Sequence, residues 1–259
     1  YTGTAYRHCM VWHGGKTALG KITPPHDITG KKIAEYLPSH PDAAPILDLM
    51  KRSVDILKDH PINRERVAKG LNPANAIWLW GQGNRPQLQN FHDRFGLHGS
   101  VVSAVDLLRG IGRLAGMNVC QVEGATGYID TNYTGKMQAA LQELKNGQDY
   151  VYIHVEAPDE CGHRGEVQNK VKAIEDIDRL ILGPLLEQLP QFGDYTVMVL
   201  PDHPTPLDIR THVSTPVPYL LYRSNAEQNS GIACFTEAAA ETTGLLIDPG
   251  YTLIDRALQ

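Results

Sequence analysis

The sequence predicts an α/β fold, a sheet covered by helices, and three observations carry that prediction. Strand-like and helix-like segments alternate along the chain. The second half holds short apolar runs on either side of one long amphipathic stretch. At 259 residues, with 42% apolar and 20% charged residues, the chain can bury a sizeable core. Its length sits between one large domain and two small ones, and two are expected, 1–127 and 128–259. The boundary is placed where a Gly- and Thr-rich stretch, 127–135, separates two patterns.

The elements follow in order. The chain starts at Tyr1 without Met, which points to truncation, and runs into a strand-like stretch at 6–12. Ile46, Leu49, Met50, Val54 and Leu57 form a helical stripe over 44–57. Residues 75–80 read as a short apolar strand ending in Gly81 and Gly83, 103–114 as a helix, and 118–122 as a strand. Beyond the boundary, 149–155 reads as a buried strand. A helix is expected over 170–189, with Val171, Ile174, Ile177, Ile181 and Leu185 on one face. Strands at 195–200 and 217–222 and helices at 236–243 and 253–258 complete the pattern.

Composition excludes several functions. No run of about 18 apolar residues and no signal peptide is present, so no membrane partner is expected. Cys9, Cys120, Cys161 and Cys234 are scattered, without a CxxC pair, and read as reduced thiols of a cytoplasmic protein. A net charge of -5 with no Lys/Arg run argues against nucleic acid. Nothing in the sequence fixes an oligomeric state.

The chemistry-bearing residues cluster after predicted strands. Asp159 and His163, in Ala157-Pro158-Asp159-Glu160-Cys161-Gly162-His163, follow the strand at 149–155. Asp202 and His203 follow the strand at 195–200, and His212 lies nine residues further on. Ligands of open α/β sheets bind in the crevice at the carboxyl ends of strands, so separate segments can deliver these side chains to one place. Imidazole nitrogen with carboxylate oxygen suits Zn, Mn or Fe better than Mg or Ca. Gly162, without a Cβ, would let a loop bend so that Asp159 and His163 face one ion. Any one of these residues alone is more often an ordinary hydrogen-bonded group; together and in this order they point to one or two divalent metals.

Those phrases, with Ala173-Ile174-Glu175-Asp176-Ile177-Asp178, Leu200-Pro201-Asp202-His203-Pro204-Thr205-Pro206 and Thr215-Pro216-Val217-Pro218, resemble the signature series of archaeal-type cofactor-independent phosphoglycerate mutases. In the first half, 24–30, 103–112 and 124–133 are similar to the same group. The resemblance implies the C-terminal part of an alkaline-phosphatase-like mixed sheet flanked by helices, with an inserted substrate-binding domain at 1–127. It implies two divalent ions, Mn or Zn. Asp159, His163 and His212 resemble the ligands of one, and Asp202 with His203 part of the shell of the other. It also implies transfer between the hydroxyls of a small phosphoglycerate through a phosphoserine. The family's nucleophilic serine lies in an N-terminal segment preceding the region that matches Tyr1. No serine here is assigned that role, and the chain alone is expected to be inactive.

A substrate carrying phosphate and carboxylate calls for arginine forks. Arg7, Arg85, Arg94 and Arg109 are the candidates, Arg85 following the small-residue loop at 81–84; Arg94 and Arg109 are more often ordinary solvated residues, and Arg7, Arg85 and Arg109 are carried forward. Competing functions are a phosphatase or phosphodiesterase with the same ligands, and a homoserine kinase of the same subgroup. A large insertion that encloses substrate and excludes water favours the mutase.

Overall fold

The computed structural model describes residues 1–3 and 8–258. The chain divides into two compact units, residues 1–2 with 8–86, and residues 3–7 with 87–259.

In the first unit, 3-10 turns at Pro25–Ile28, Ile33–Tyr36 and Pro41–Ala43 lead into helices α1 (Ala44–Lys58) and α2 (Pro61–Ala68). The helix predicted over 44–57 is present. Its Ile46 and Met50 join Leu19 and Ala43 in a small core backed by Trp78 and Leu79, whereas Leu49 and Val54 are exposed. The strand expected at 75–80 does not form. Its polar groups are taken by side chains and loops instead: the Ile77 N–H donates to Ser53 Oγ, and Trp78 Nε1 to the Thr23 carbonyl. With the Ile77 N–H bonded to a side chain, that group needs no ladder partner. Of the stretch 6–12, Tyr6 and Arg7 lie outside the described residues, and His8 forms an isolated bridge to Thr2 outside any strand.

The second unit contains α3 (Phe91–Phe95), β1 (Gly99–Val102), α4 (Asp106–Leu114), β2 (Asn118–Cys120), α5 (Tyr133–Lys145) and β3 (Tyr150–Ile153). It continues with α6 (Ala157–Arg164), α7 (Val167–Ile177), α8 (Gly183–Gln188), β4 (Thr196–Val199), β5 (Leu220–Arg223), α9 (Glu237–Glu241) and α10 (Leu253–Ala257). Three strands form a parallel sheet in the order β2-β1-β3, with Val101 beside Val119 and Tyr152. The last two strands pair with each other antiparallel. Because the chain leaves β1 for β2 on one side and returns as β3 on the other, the switch point lies between β1 and β3. From the carboxyl end of β3 the chain passes directly into α6.

The residues around 127–135, where a domain boundary was expected, lie inside this second unit; packing parts at 86/87. The stretch is a tight loop closed by its own side chains. Thr131 Oγ1 accepts from the Thr126 N–H, and Asn132 caps α5 by accepting from the Gly135 N–H. Turn chemistry between a strand and a helix thus has the composition of a linker.

The helix expected over 170–189 is present as α7 and α8 joined by a π turn at Asp178–Leu182. Pro184 lacks an N–H, and the turn before it widens, with the Gly183 N–H donating to the Asp178 carbonyl. Ile177, Ile181 and Leu185 pack with Tyr133, Met137, Leu141, Ala157 and Ala173 in the core. Val171 and Ile174, read as part of the same stripe, are exposed.

Helix α4 meets β1 at Gly112, where a Cβ would lie 2.7 Å from Val101 Cγ2, while Gly110 one turn-face away has nothing within 4 Å. Gly112→Ala is therefore expected to destabilise by about 1–3 kcal/mol through overpacking. Gly110→Ala should stabilise by roughly 0.5–1 kcal/mol through helix propensity. Urea midpoints of the two variants measure the difference.

Candidate metal centre

Asp159 and His163 sit one turn apart on α6, so a helix, and not the flexible loop expected from the sequence, aims both side chains the same way. Gly162 is helical too. Its lack of a Cβ serves a different purpose: a Cβ there would lie 2.6 Å from the Thr205 carbonyl oxygen. The loop after β4 can thus lie directly against α6.

That loop brings His212 back to the helix. His163 Nε2 and His212 Nε2 are 3.0 Å apart, His212 Nε2 is 3.2 Å from Asp159 Oδ1, and His163 Nε2 is 3.4 Å from Asp159 Oδ2. A tetrahedral ion with bonds of about 2.0–2.1 Å sets its donors about 3.3 Å apart. These distances run through both carboxylate oxygens, His212 to Oδ1 and His163 to Oδ2, so Asp159 faces both imidazoles at separations near those of a coordination polyhedron, and an N₂O donor set of this kind suits a divalent transition metal. The residues fit such an ion.

Hydrogen bonds fix which atoms face inward. The Arg210 carbonyl, 3.0 Å from His163 Nδ1, can only accept, so Nδ1 carries the proton and Nε2 the lone pair. Arg210 holds that carbonyl in a left-handed conformation, φ 58°, which is uncommon for a residue with a side chain. The His212 pKa is lowered, first by burial and then by the neighbouring His203, with Asp159 pulling the other way. The neutral imidazole that a metal requires is thereby favoured.

His203 joins the edge of this group. Its ring centroid is 3.8 Å from that of His212, and one donor atom each of Asp159, His203 and His212 lies within 4.8 Å of the others. Asp202 stands further out. Its Oδ1 accepts from the His203 N–H at 3.0 Å, its Oδ2 is 3.5 Å from His203 Nε2, and its charge acts on Tyr152 and His154 at the end of β3. The strands delivering the donors belong to two different sheets, β3 to the parallel one and β4 to the antiparallel pair.

Of the expected arginines, Arg109 on α4 is paired with Asp106 at 3.3 Å. Arg85 is exposed in the first unit, and Arg7 lies outside the described residues. Arg94 Nη2 pairs with Asp255 Oδ1 at 3.2 Å.

Sequence reasoning missed the supports. The Lys136 ammonium is buried under the site and donates to the His154 carbonyl at 2.8 Å; Lys170 Nζ donates to the Thr205 carbonyl at the same distance. Tyr128 donates to Glu166 and lies under the Arg164 guanidinium at 4.0 Å, tying the 123–132 loop to the end of α6. The one available signal was Thr205, two residues after His203 in the quoted motif.

Comparisons with known proteins place the chain in context. The Metalloenzyme superfamily matches residues 30–254. A Geobacter sulfurreducens protein named a probable 2,3-bisphosphoglycerate-independent phosphoglycerate mutase is 49% identical over 258 residues, 100% of this chain and 64% of that protein. A Methanosarcina barkeri protein named as the same mutase is 47% identical over 95% of this chain and 62% of its own length. The chain thus spans somewhat under two thirds of these relatives. Among solved structures, a Pyrococcus horikoshii protein aligns with a TM-score of 0.65 at 31% identity, over 80% of this chain and 54% of that one. The cofactor-independent phosphoglycerate mutase of Thermoplasma acidophilum aligns at 0.50 and 26% identity, over 86% and 54%.

Burial lowers the Lys136 pKa to about 8 from 10.5, with Glu156 opposing. Between those values the unfolded chain binds a proton that the folded chain does not, so this residue's contribution to stability rises with pH across that window. Urea midpoints of the unaltered chain and Lys136→Met, measured from pH 7 to 10, should shift in favour of the unaltered chain as pH rises. A pH-independent difference would contradict the assignment.

Proposed function

We propose that the chain, which belongs to the Metalloenzyme superfamily, forms the substrate-binding part and the C-terminal part of the metal-binding domain of a 2,3-bisphosphoglycerate-independent phosphoglycerate mutase, an isomerase acting by phosphoryl transfer. Its fold is the alkaline-phosphatase-like α/β arrangement of parallel sheet and helices. The observation that carries the reading is the Asp159, His163 and His212 cluster, with donor separations of 3.0–3.4 Å. It stands in a chain 49% identical along its whole length to a relative named for that activity.

In this reading Asp159, His163 and His212 hold one divalent ion, and Asp202 with His203 contributes to a second. Bound there, two Mn or Zn ions would neutralise charge developing on a transferring phosphoryl group. The chain's own residues orient and enclose. Nδ1 acceptors leave Nε2 of His163 and His203 available as the ligand atom of the neutral ring, and α6 holds two donors at fixed spacing. Arg7, Arg85 and Arg109 are assigned to the phosphate and carboxylate of a phosphoglycerate, whose bidentate groups match guanidinium forks. As a division by function, 1–127 serves substrate binding and 128–259 metal binding. The serine that carries the phosphoryl group is assigned to the part of the relatives' length that this chain does not match. Among the described residues no helix is long and apolar enough to cross a membrane; a cytoplasmic enzyme on a small substrate is the proposal.

The test joins the chain to the unmatched part of the Geobacter sulfurreducens relative, supplies Mn or Zn, and follows 3-phosphoglycerate to 2-phosphoglycerate interconversion beside phosphate release. Metal-dependent interconversion, lost in Asp159→Ala and His203→Ala, is expected. Phosphate release without interconversion would assign a hydrolase, and neither activity in a folded, metal-loaded protein would turn the search to homoserine.

A further inference from the structure

Thr205 occupies a position that neither the ligand pattern nor the resemblance assigns. It is 4% exposed, a buried hydroxyl between two elements of the site. Its Oγ1 donates to Asp159 Oδ1 and lies 3.3 Å from His203 Nδ1. One residue thus touches a carboxylate on α6 and an imidazole on the loop after β4.

The proton count at this oxygen is decisive. A threonine hydroxyl has one hydrogen and two lone pairs, and a carboxylate only accepts. With its hydrogen directed to Asp159, Oγ1 has only lone pairs to offer His203, so the hydrogen in that contact must come from Nδ1–H. Nδ1 of His203 then carries a proton, and in the neutral ring the lone pair falls on Nε2, the atom 3.5 Å from Asp202 Oδ2. Arg210 does the same for His163 with a backbone carbonyl.

Thr205 is itself immobilised. Its carbonyl accepts from Lys170 Nζ at 2.8 Å, and the same carbonyl packs on Gly162, where a Cβ would lie 2.6 Å away. A side chain held so rigidly can set the orientation of its partners, as outer-shell groups do in metal sites.

We propose that Thr205 is a positioning residue of the metal centre: through one hydroxyl it orients Asp159 and selects Nε2 of His203 as the metal-facing atom. The proposal rests on the metal-centre reading above. The hydroxyl, not the methyl group, is the working part, so Thr205→Ser keeps the function and the near-isosteric Thr205→Val removes it.

Two measurements on the 259-residue chain test this. Zn and Co affinities by chelator competition should fall ~10–100-fold in Thr205→Val and stay within ~3-fold in Thr205→Ser. Independently of metal, long-range nitrogen–proton NMR of the His203 ring should show Nδ1–H in the unaltered chain and in Thr205→Ser, with loss of that preference in Thr205→Val. Urea midpoints show that the variants are folded. Unchanged affinity and tautomer in Thr205→Val, or equal losses in Thr205→Ser, would overturn the proposal while leaving the metal centre standing. Metal binding that survives Asp159→Ala unchanged would overturn the centre and the proposal together. Should Thr205→Val fail to fold, an Nε2–H His203 in the unaltered metal-free chain would be sufficient to refute it.

Discussion

The geometry of the centre depends on how closely the loop after β4 approaches helix α6, and that approach is set at Gly162. A methyl group there would sit 2.6 Å from the Thr205 carbonyl, so the loop would have to lift off the helix. Three of the distances that give the site its form cross this contact: Thr205 to Asp159, His212 to Asp159, and His163 to His212. The helix provides two donors by its own periodicity, but two donors do not hold an ion selectively. The third arrives only because the two backbones can touch.

Around that contact, two lysines bond to the backbone of the site's segments rather than to its carboxylates. Lys136 and Lys170 both have their pKa lowered by burial, and each gives a proton to a backbone carbonyl of a site segment. A buried ammonium is costly unless bonded. Here the bonds connect it to the backbone rather than to the donor carboxylates, so the cation braces the loops without occupying the lone pairs that a metal needs. The acceptors facing His163 and His203, a carbonyl and a hydroxyl already committed as donor, complete the same scheme.

Local patterns were legible where they had only to satisfy themselves. The helix over 44–57 appears in the structure as α1, one residue longer, and the strands at 118–122 and 149–155 as β2 and β3, two and three residues shorter. The strand at 75–80 failed because Ser53 and Thr23 offered its segment other partners, a competition between segments that periodicity does not encode. β1 passed unnoticed because Gly99-Ser100-Val101-Val102 has no alternation; it is central, buried on both faces, and draws its stability from neighbours on each side. The turn-rich stretch near 127–135 looked like a boundary because side-chain-capped turns and linkers draw on the same residues.

The sequence by itself determined the chemistry of this protein: an Asp and His donor set, its order along the chain, and the four-residue spacing of Asp159 and His163 that a helix turns into a shared face. The tertiary structure decided which of the remaining donors complete that pair, placing His212 in contact with His163 across 49 residues and drawing His203 to Asp159 through Thr205. The reason is one of range. Helical spacing is a property of consecutive backbone torsions, whereas the path of a loop depends on what it can approach, and here a missing Cβ at Gly162 and the Lys170 ammonium on α7 fix that path.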